Sequence, residues 1–266
     1  MRVYVKETPL YVAVRGHGPA ITLVHGFPLS HRIYDTQFRS LSHQYRVIVP
    51  DLRGFCKSPL GMSPEEVTIE TYADDVAAIL DTLGVEKTIL GGLSMGGYIA
   101  FAFWRKYPER VQGLILMNTR AAADSEEGRQ NRYALMERVR QEGLAPLIES
   151  MVPKLVAPST LKGKPHVIRK LRHIMEGATV DGVIAALHAM AHRPDSRPLL
   201  PHIHVPTLVI AGREDALIPL EEAEEMALHI PHATLQIVPQ AGHLVTMERP
   251  RMTTRLIQHF VAGIRE

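Results

Sequence analysis

Short apolar runs alternate with amphipathic stretches over the first 118 residues of the chain. The runs have the length of buried strands and are centred near Val3, Tyr11, Ile21, Val47, Ile89 and Leu114. Between them, residues 71–83 and 94–107 carry apolar side chains at helical spacing. This alternation predicts an α/β fold with a mostly parallel sheet flanked by helices. The short turn at Glu7-Thr8-Pro9 predicts that the first two strands form an antiparallel hairpin at one edge.

The pattern changes between residues 119 and 198, where strand-like runs stop and helical spacing takes over. Helices are predicted over residues 128–143, 144–152, 164–177 and 180–191, separated by prolines. Strand and helix signals resume at Val205. We therefore predict a core of residues 1–118 and 199–266 with a helical cap, 119–198, inserted over the carboxyl edge of the sheet. Arg193 and Asp195 are expected to pair where the cap rejoins the core.

Candidate chemistry begins with Gly92-Leu93-Ser94-Met95-Gly96, a G-x-S-x-G pattern. An apolar strand precedes it and a helix follows it, which is the context of a nucleophile elbow. In such an elbow a strained turn exposes the serine hydroxyl, and small neighbours let the strand and helix pass closely. Ser94 is therefore the candidate nucleophile.

A serine needs a base and an acid that orients the base, in the chain order Ser, Asp or Glu, His for this elbow. The chain has 14 histidines, so a single histidine carries little information. His243 differs from the others because it follows a predicted strand and a glycine and comes last in that order. Asp215 follows another strand, so both side chains are expected at the carboxyl edge of the sheet, near Ser94.

Two other carboxylates compete with Asp215 for the role of acid. Glu214 is its neighbour, and Asp124 follows the predicted strand over residues 111–117. Asn118, at the end of that strand, cannot carry the charge. The position of Asp215 just after its strand favours it over both alternatives.

An acyl-transfer site also needs donors for the negative charge that develops on the carbonyl oxygen. The run 20–24 reads as a buried strand that ends at His25-Gly26-Phe27-Pro28. We expect the backbone N–H groups of Phe27 and Met95 to form this oxyanion hole, because Met95 follows the nucleophile and Gly26 allows close approach.

These motifs together resemble the α/β-hydrolase superfamily, in particular small carboxylesterases and enzymes like 3-oxoadipate enol-lactonase. The matching pieces are Val24-His25-Gly26-Phe27-Pro28, Asp51-Leu52-Arg53-Gly54-Phe55, Gly91-Gly92-Leu93-Ser94-Met95-Gly96-Gly97-Tyr98, Gly212-Arg213-Glu214-Asp215 and Ala241-Gly242-His243. The resemblance implies the α/β-hydrolase fold and a serine hydrolase that cleaves small carboxylic esters through an acyl-enzyme on Ser94.

Three other activities stay open. The first is an enol-lactonase that acts on a dicarboxylic lactone, which would need a cationic pocket. The second is a cofactor-free perhydrolase that uses the same triad with peroxide. The third, from a different class, is a ligand receptor built on a hydrolase fold. The proposed chemistry needs no metal and no organic cofactor.

One position departs from the family pattern. Cys56 stands where the loop after Asp51-Leu52-Arg53-Gly54 usually has a glycine. If this position requires a positive φ, a cysteine there costs about 1 kcal/mol or more. Arg53 and Asp51 are expected to hold this loop rather than to take part in catalysis.

Composition narrows the class of protein further. The net charge of +2 is too close to neutral to indicate a nucleic-acid partner. The single cysteine excludes an internal disulfide and rules out a cysteine-based zinc site. The first residues read as a strand rather than a signal peptide, and no run approaches the roughly 20 apolar residues of a membrane span. We expect a cytoplasmic enzyme with a small-molecule ester substrate, no membrane partner and a plausibly monomeric state.

Overall fold

A computed structural model of the protein describes residues 1–264. The strands are β1 (Arg2–Val5), β2 (Thr8–Arg15), β3 (Ala20–Val24), β4 (Arg46–Pro50), β5 (Thr88–Leu93), β6 (Val111–Met117), β7 (Thr207–Gly212) and β8 (Ala233–Val238). The helices are α1 (Asp35–Leu41), α2 (Ile69–Thr82), α3 (Met95–Lys106), α4 (Glu126–Glu142), α5 (Ala145–Leu155), α6 (Pro158–Gly163), α7 (Pro165–Met175), α8 (Val180–Ala191), α9 (Leu220–His229), α10 (Val245–Glu248) and α11 (Pro250–Gly263).

The strands form one sheet in the order β1-β2-β4-β3-β5-β6-β7-β8. From β4 to β8 every neighbouring pair is parallel, whereas β2 is antiparallel to both β1 and β4. The predicted α/β fold class with a mostly parallel sheet and the antiparallel hairpin at the edge are therefore confirmed. The turn of that hairpin is shorter than predicted, because Thr8 and Pro9 already belong to β2.

Side chains of the central strands alternate between two apolar layers, as the period of two in a strand requires. Ile89 and Ile115 pack in the layer that contains buried residues of α1 and α11. Leu90 and Leu114 point to the opposite layer, which contains buried residues of α2 and α3. Because β3, β5 and β7 are buried along their whole length, they read as continuous apolar runs in the sequence.

Between β6 and β7 the chain forms the helices α4–α8 and, within the described residues, no strand. Four of these helices were predicted within a few residues, and α6 was not. The prolines mark the first turns of α6 and α7, where a missing N–H costs no hydrogen bond, but Pro153 lies inside α5. In the described part of the chain, no helix combines the length and the apolarity that crossing a membrane requires.

The loop after β4 makes close backbone contact with α8. A Cβ atom added to Gly182 would lie 2.1 Å from the carbonyl oxygen of Gly54, so neither position has room for a side chain. The N–H and hydroxyl of Thr179 donate hydrogen bonds to the same oxygen, at 3.1 and 3.0 Å. In this loop Arg53 forms a buried ion pair with Asp75 at 2.5 Å, and Cys56 has the positive φ of 53° that its place in the motif suggested.

Candidate active site

Ser94 lies between the end of β5 at Leu93 and the start of α3 at Met95. Its backbone has φ 57° and ψ −116°. Residues other than glycine rarely adopt this conformation, which is typical of functional turns. The turn closes only because its neighbours are small. A Cβ on Gly92 would lie 2.0 Å from the carbonyl oxygen of Gly96, and one on Gly96 would lie 2.2 Å from that of Val24. The local geometry is that of the predicted elbow.

His243 and Asp215 are brought together from the loops after β8 and β7. The Nδ1 of His243 lies 2.8 Å from Oδ2 of Asp215, and both side chains are almost fully buried. The other carboxylate oxygen, Oδ1, accepts the N–H groups of Leu217 and Ile218 at 2.8 and 3.2 Å. With Nδ1 occupied by the carboxylate, Nε2 is the ring nitrogen of His243 left to exchange a proton with a substrate or with Ser94.

Asn118, at the end of β6, contacts the same carboxylate. Its Nδ2 donates to Oδ2 of Asp215 at 2.8 Å and to the carbonyl of Gly242 at 3.3 Å. Burial alone would raise the pKa of Asp215, but the charge and hydrogen bond of His243, together with the Asn118 amide, hold this pKa below its ordinary value. Asp215 is therefore kept as an anion that can orient an imidazole and stabilise its cation.

The two competing carboxylates have other surroundings. Glu214 is exposed. The side chain of Asp124 is buried among Arg120, Arg132 and Arg193, with Arg120 at 2.6 Å and Arg193 at 2.9 Å. Burial alone would raise the pKa of Asp124, but these guanidinium groups hold it well below the ordinary range. The predicted pair of Arg193 with Asp195 is wrong, because Asp195 pairs with Arg197 instead.

The two predicted oxyanion donors belong to segments that adjoin Ser94. Met95 is the first residue of α3, where an N–H has no partner inside the helix. Phe27 follows Gly26, whose Cα lies so close to the elbow that a Cβ there would be 3.1 Å from the Cβ of Ser94. In residues 1–264, neither N–H donates a hydrogen bond to another protein group.

His25 holds the loop that carries Phe27 in place. Its Nε2 accepts the N–H of Leu52 at 3.0 Å, so its Nδ1 carries the hydrogen and donates to the carbonyl of Gly26 at 2.9 Å. Complete burial lowers the pKa of His25 to about 4, because the charged form would lose its hydration. The neutral imidazole thus fixes the loop through two backbone groups. The peptide bond from Phe27 to Pro28 is cis.

Ser94 and His243 both line one cavity, which has a volume of about 310 Å³. Its wall includes Phe27, Ser94 and His243 from the loops of the sheet, and Met151, Leu187 and Met190 from the helices between β6 and β7. Met151, Leu187 and Met190 therefore give this space an apolar wall. A larger cavity, of about 640 Å³, lies against β7, β8 and α11 and includes none of the predicted site residues.

Comparisons with known proteins identify the family of this chain. Residues 19–250 match the family model described as the alpha/beta hydrolase fold. The protein belongs to this family. It is 28% identical over 240 residues, 90% of this chain and 87% of the other, to 3-oxoadipate enol-lactonase 2 of Acinetobacter baylyi.

Solved structures give a similar picture. A thermophilic esterase from Thermogutta terrifontis, with malate bound, superimposes with a TM-score of 0.96 at 44% identity and complete coverage of both chains. The enol-lactonase from Burkholderia xenovorans superimposes with a TM-score of 0.90 at 28% identity, covering 98% of this chain and 100% of the other. The chain is thus a hydrolase of this fold that resembles both esterases and enol-lactonases.

The cations of this hydrolase's cavity were not foreseen from the sequence. Arg120, Arg132 and Lys154 line it, and in the described chain no acidic residue does. Arg120 and Arg132 both form ion pairs with Asp124. Lys154 is exposed and, within residues 1–264, forms no ion pair. The only signal in the sequence was the helical spacing that places Lys154 on the same face of α5 as Met151.

Glu248 was also missed. Its buried carboxylate accepts, through Oε1, the N–H groups of Gly242 and Leu244 at 2.8 and 3.3 Å, the residues on either side of His243. Through Oε2 it accepts the N–H of Ala157, at the start of α6, at 2.8 Å. Glu248 therefore positions the loop of His243, and a carboxylate five residues after the histidine was the one available clue.

Proposed function

We propose that this protein is a carboxylesterase, a serine hydrolase that cleaves small carboxylic esters through an acyl-enzyme on Ser94. One observation carries the proposal. Ser94, in a strained turn, shares a cavity with His243, whose Nδ1 is held by a buried, ionised Asp215. A hydroxyl in the cavity, a base with one free nitrogen and a fixed anion behind it are the parts that acyl transfer requires.

In the first half of the proposed reaction, Ser94 Oγ attacks the ester carbonyl while Nε2 of His243 takes the hydroxyl proton. The carbonyl oxygen becomes an oxyanion that accepts the N–H groups of Phe27 and Met95. Each such donor is worth about 3 kcal/mol in the transition state. His243 then gives its proton to the leaving alcohol, and the acyl group stays bound to Ser94 as an ester.

In the second half, water loses a proton to Nε2 of His243 and attacks the acyl-enzyme. The same two amides hold the second oxyanion, which collapses to release the carboxylic acid and return the proton to Ser94. Asp215 stabilises the imidazolium ion in both halves without accepting its proton. These steps use groups of this chain and water alone.

Substrate size follows from the cavity and the segment above it. A volume of about 310 Å³ is at the lower end for small-molecule sites, which favours short acyl chains. We propose that residues 119–198 form a cap and that its side chains at Met151, Leu187 and Met190 select the substrate. Methionine is flexible and polarisable, so it suits apolar groups of varied shape.

The direct test is covalent labelling combined with turnover of a short-chain nitrophenyl ester. Ser94→Ala should lower kcat by about three to six orders of magnitude and abolish the mass increase that a fluorophosphonate produces on the wild-type chain. Ser150→Ala, which removes a hydroxyl that bonds only within its own helix, is the matched control and should retain both. Substantial turnover or labelling of folded Ser94→Ala would refute the proposal, and absence of multiple turnover in the wild type would favour a binding protein.

A second candidate is a lactonase whose substrate carries a carboxylate. Two observations favour it: the charged side chains that line the cavity are all cations, and the relatives include enol-lactonases. The same triad opens a lactone, and in that case the leaving alcohol remains attached to the acyl group. Comparison of kcat/KM for a neutral ester, its carboxylate-bearing analogue and a carboxylate-bearing lactone separates the two activities.

A further inference from the structure

Three potential metal ligands meet at a second place in the molecule. An imidazole nitrogen of His31, a carboxylate oxygen of Asp51 and the Sγ of Cys56 all lie within 4.8 Å of one another. None of the three lines the cavity of Ser94. We propose that these residues form a binding site for Zn²⁺ or a chemically similar divalent ion, in addition to the proposed esterase function.

The carboxylate of this cluster is fixed before any ion binds. Oδ1 of Asp51 accepts two hydrogen bonds from His31, one from the backbone N–H at 2.9 Å and one from Nδ1 of the ring at 2.7 Å. Asp51 is fully buried at the end of β4, so its side chain cannot swing away into solvent. The ligand atoms of a tetrahedral zinc site lie about 3.5 Å apart, given bonds of about 2.0–2.3 Å. Side-chain shifts of about 1 Å would therefore close the site.

The thiol is placed by an unusual piece of backbone. Cys56 has φ 53°, which glycine tolerates better than cysteine does. Its N–H donates to the carbonyl of Gly177 at 2.7 Å, which holds the loop against the turn that follows α7. The strained conformation brings the Sγ toward His31 and Asp51 at a position where the family's usual glycine would supply no ligand.

The cluster is also accessible. His31 and Cys56 line a cavity of about 460 Å³ whose wall also includes Ser30, Lys57 and, across from the loop, Glu176. An ion could enter here, and water or Glu176 could supply a fourth ligand, as zinc requires. The Lys57 ammonium lies 4.2 Å from the centre of the Tyr11 ring. The ring stabilises this cation and holds it there.

The donor set selects the class of ion. A thiolate and an imidazole favour zinc and similar borderline or soft ions over Mg²⁺ or Ca²⁺, which prefer oxygen ligands. Binding releases the thiol proton to solvent, and the hydrogen between His31 and Asp51 moves to the other ring nitrogen of His31, which leaves a neutral imidazole as the ligand. One thiolate and one carboxylate then balance the charge of a divalent ion, which suits a half-buried site. Asp51 and Cys56 come from the loop after β4, and His31 comes from the segment between β3 and α1. The expectation that a single cysteine rules out a cysteine-based zinc site did not cover a mixed site, which needs only one thiol.

The test uses Co²⁺ as a spectroscopic probe on the untagged full-length chain under reducing conditions. Cys56 is the single cysteine, so any sulfur-to-cobalt charge-transfer band in the near ultraviolet must arise from it. We expect this band to saturate at one ion per chain, to disappear when Zn²⁺ is added, and to be absent in Cys56→Ala. Zn²⁺ should also slow the reaction of the wild-type thiol with a disulfide reagent at least tenfold.

His31→Gln should weaken the band at least tenfold in apparent affinity. His192→Ala, which alters the stacked pair of half-buried His188 and exposed His192, is the matched control and should leave the band unchanged. A wild-type protein with no band at millimolar Co²⁺, or one whose thiol reacts equally fast with and without Zn²⁺, would overturn the proposal. The second measurement needs no variant, so it decides the matter even if His31→Gln does not fold.

Discussion

The carboxylate of Glu248 accepts the backbone N–H of Ala157 at 2.8 Å, which links the loop of His243 to the start of α6. Its other oxygen accepts the amides on either side of His243. A single buried side chain therefore couples the position of the proposed base to that of the helical segment above the cavity. Lys164, also from this segment, adds a hydrogen bond to the carbonyl of Glu248 at 2.8 Å.

Glu248→Ala should impair both stability and catalysis, because it leaves three buried amides without their acceptor. At about 1 kcal/mol or more per amide, the free energy of unfolding in urea should fall by about 3 kcal/mol. Well below the melting temperature, kcat for a nitrophenyl ester should fall at least tenfold with little change in KM. Glu224→Ala, on the exposed face of α9, should change neither quantity. A folded Glu248→Ala enzyme with wild-type kcat would show that Glu248 has no positioning role.

The identity of the acid can be tested with three amide substitutions. Asp215→Asn should lower kcat by about 10³–10⁴, because the amide can no longer hold His243 in the required tautomer. Glu214→Gln should stay within twofold of the wild type, since Glu214 is exposed. Asp124→Asn should lower the melting temperature by leaving three guanidinium groups without their anion. Acylation rates from stopped-flow measurements rank the three, and a larger loss for Glu214→Gln than for Asp215→Asn would reverse the assignment.

Lys154→Met tests the charge of the substrate. Met keeps the length of the side chain and removes the one cavity cation that has no ion partner within residues 1–264. If the substrate carries a carboxylate, kcat/KM for it should fall about tenfold, or about 1.4 kcal/mol, while that for a neutral ester stays unchanged. The exposed Lys162→Met is the control for a general change of charge. Equal effects on charged and neutral substrates would argue against a carboxylate subsite.

The lowered pKa of His25 predicts how the free energy of unfolding depends on pH. Its pKa is lowered from 6.5 to about 4 by burial, so the unfolded chain binds the proton more tightly than the folded one. The stability that this difference contributes is fully present above pH 6.5 and is lost progressively as the pH falls toward 4. The loss is at most about 3 kcal/mol.

Urea midpoints between pH 7.5 and 4 measure this effect. His25→Asn should be less stable at pH 7.5, because it cannot bridge Gly26 and Leu52 in the same way, but its midpoint should change less with pH. Parallel curves for the two proteins would mean that another group causes the acid sensitivity.

The sequence predicted the features that depend on local patterns. Apolar runs and their spacing identify β1–β8 because each buried strand reads as a run whatever its partners are. The elbow around Ser94 was recognisable because its glycines are required by contacts within a few residues and with the neighbouring strand. His243 and Asp215 followed from their places after strands, since the carboxyl ends of parallel strands meet at one edge.

Features that depend on which particular side chains meet over long distances in the chain were mostly not predicted. Arg193 bonds to Asp124, across the whole inserted segment, rather than to its neighbour Asp195, and the choice depends on how α8 packs against α4. Lys154 reaches the cavity, and Glu248 reaches Ala157, only in the folded chain. The boundaries of the cap, the roles of the site residues, the cytoplasmic location and the monomeric state stay predictions.

The direct backbone contact between Gly54 and Gly182 limits how this enzyme can diversify. Because these two residues already touch, the start of α8 cannot move closer to the loop after β4, and any side chain at either position would push this end of the helix outward. New substrate preferences can therefore arise by exchanging Leu187 and Met190, which line the cavity, while α8 keeps its place. A single methyl group at Gly54 or Gly182 would instead shift the helix and change the cavity as a whole.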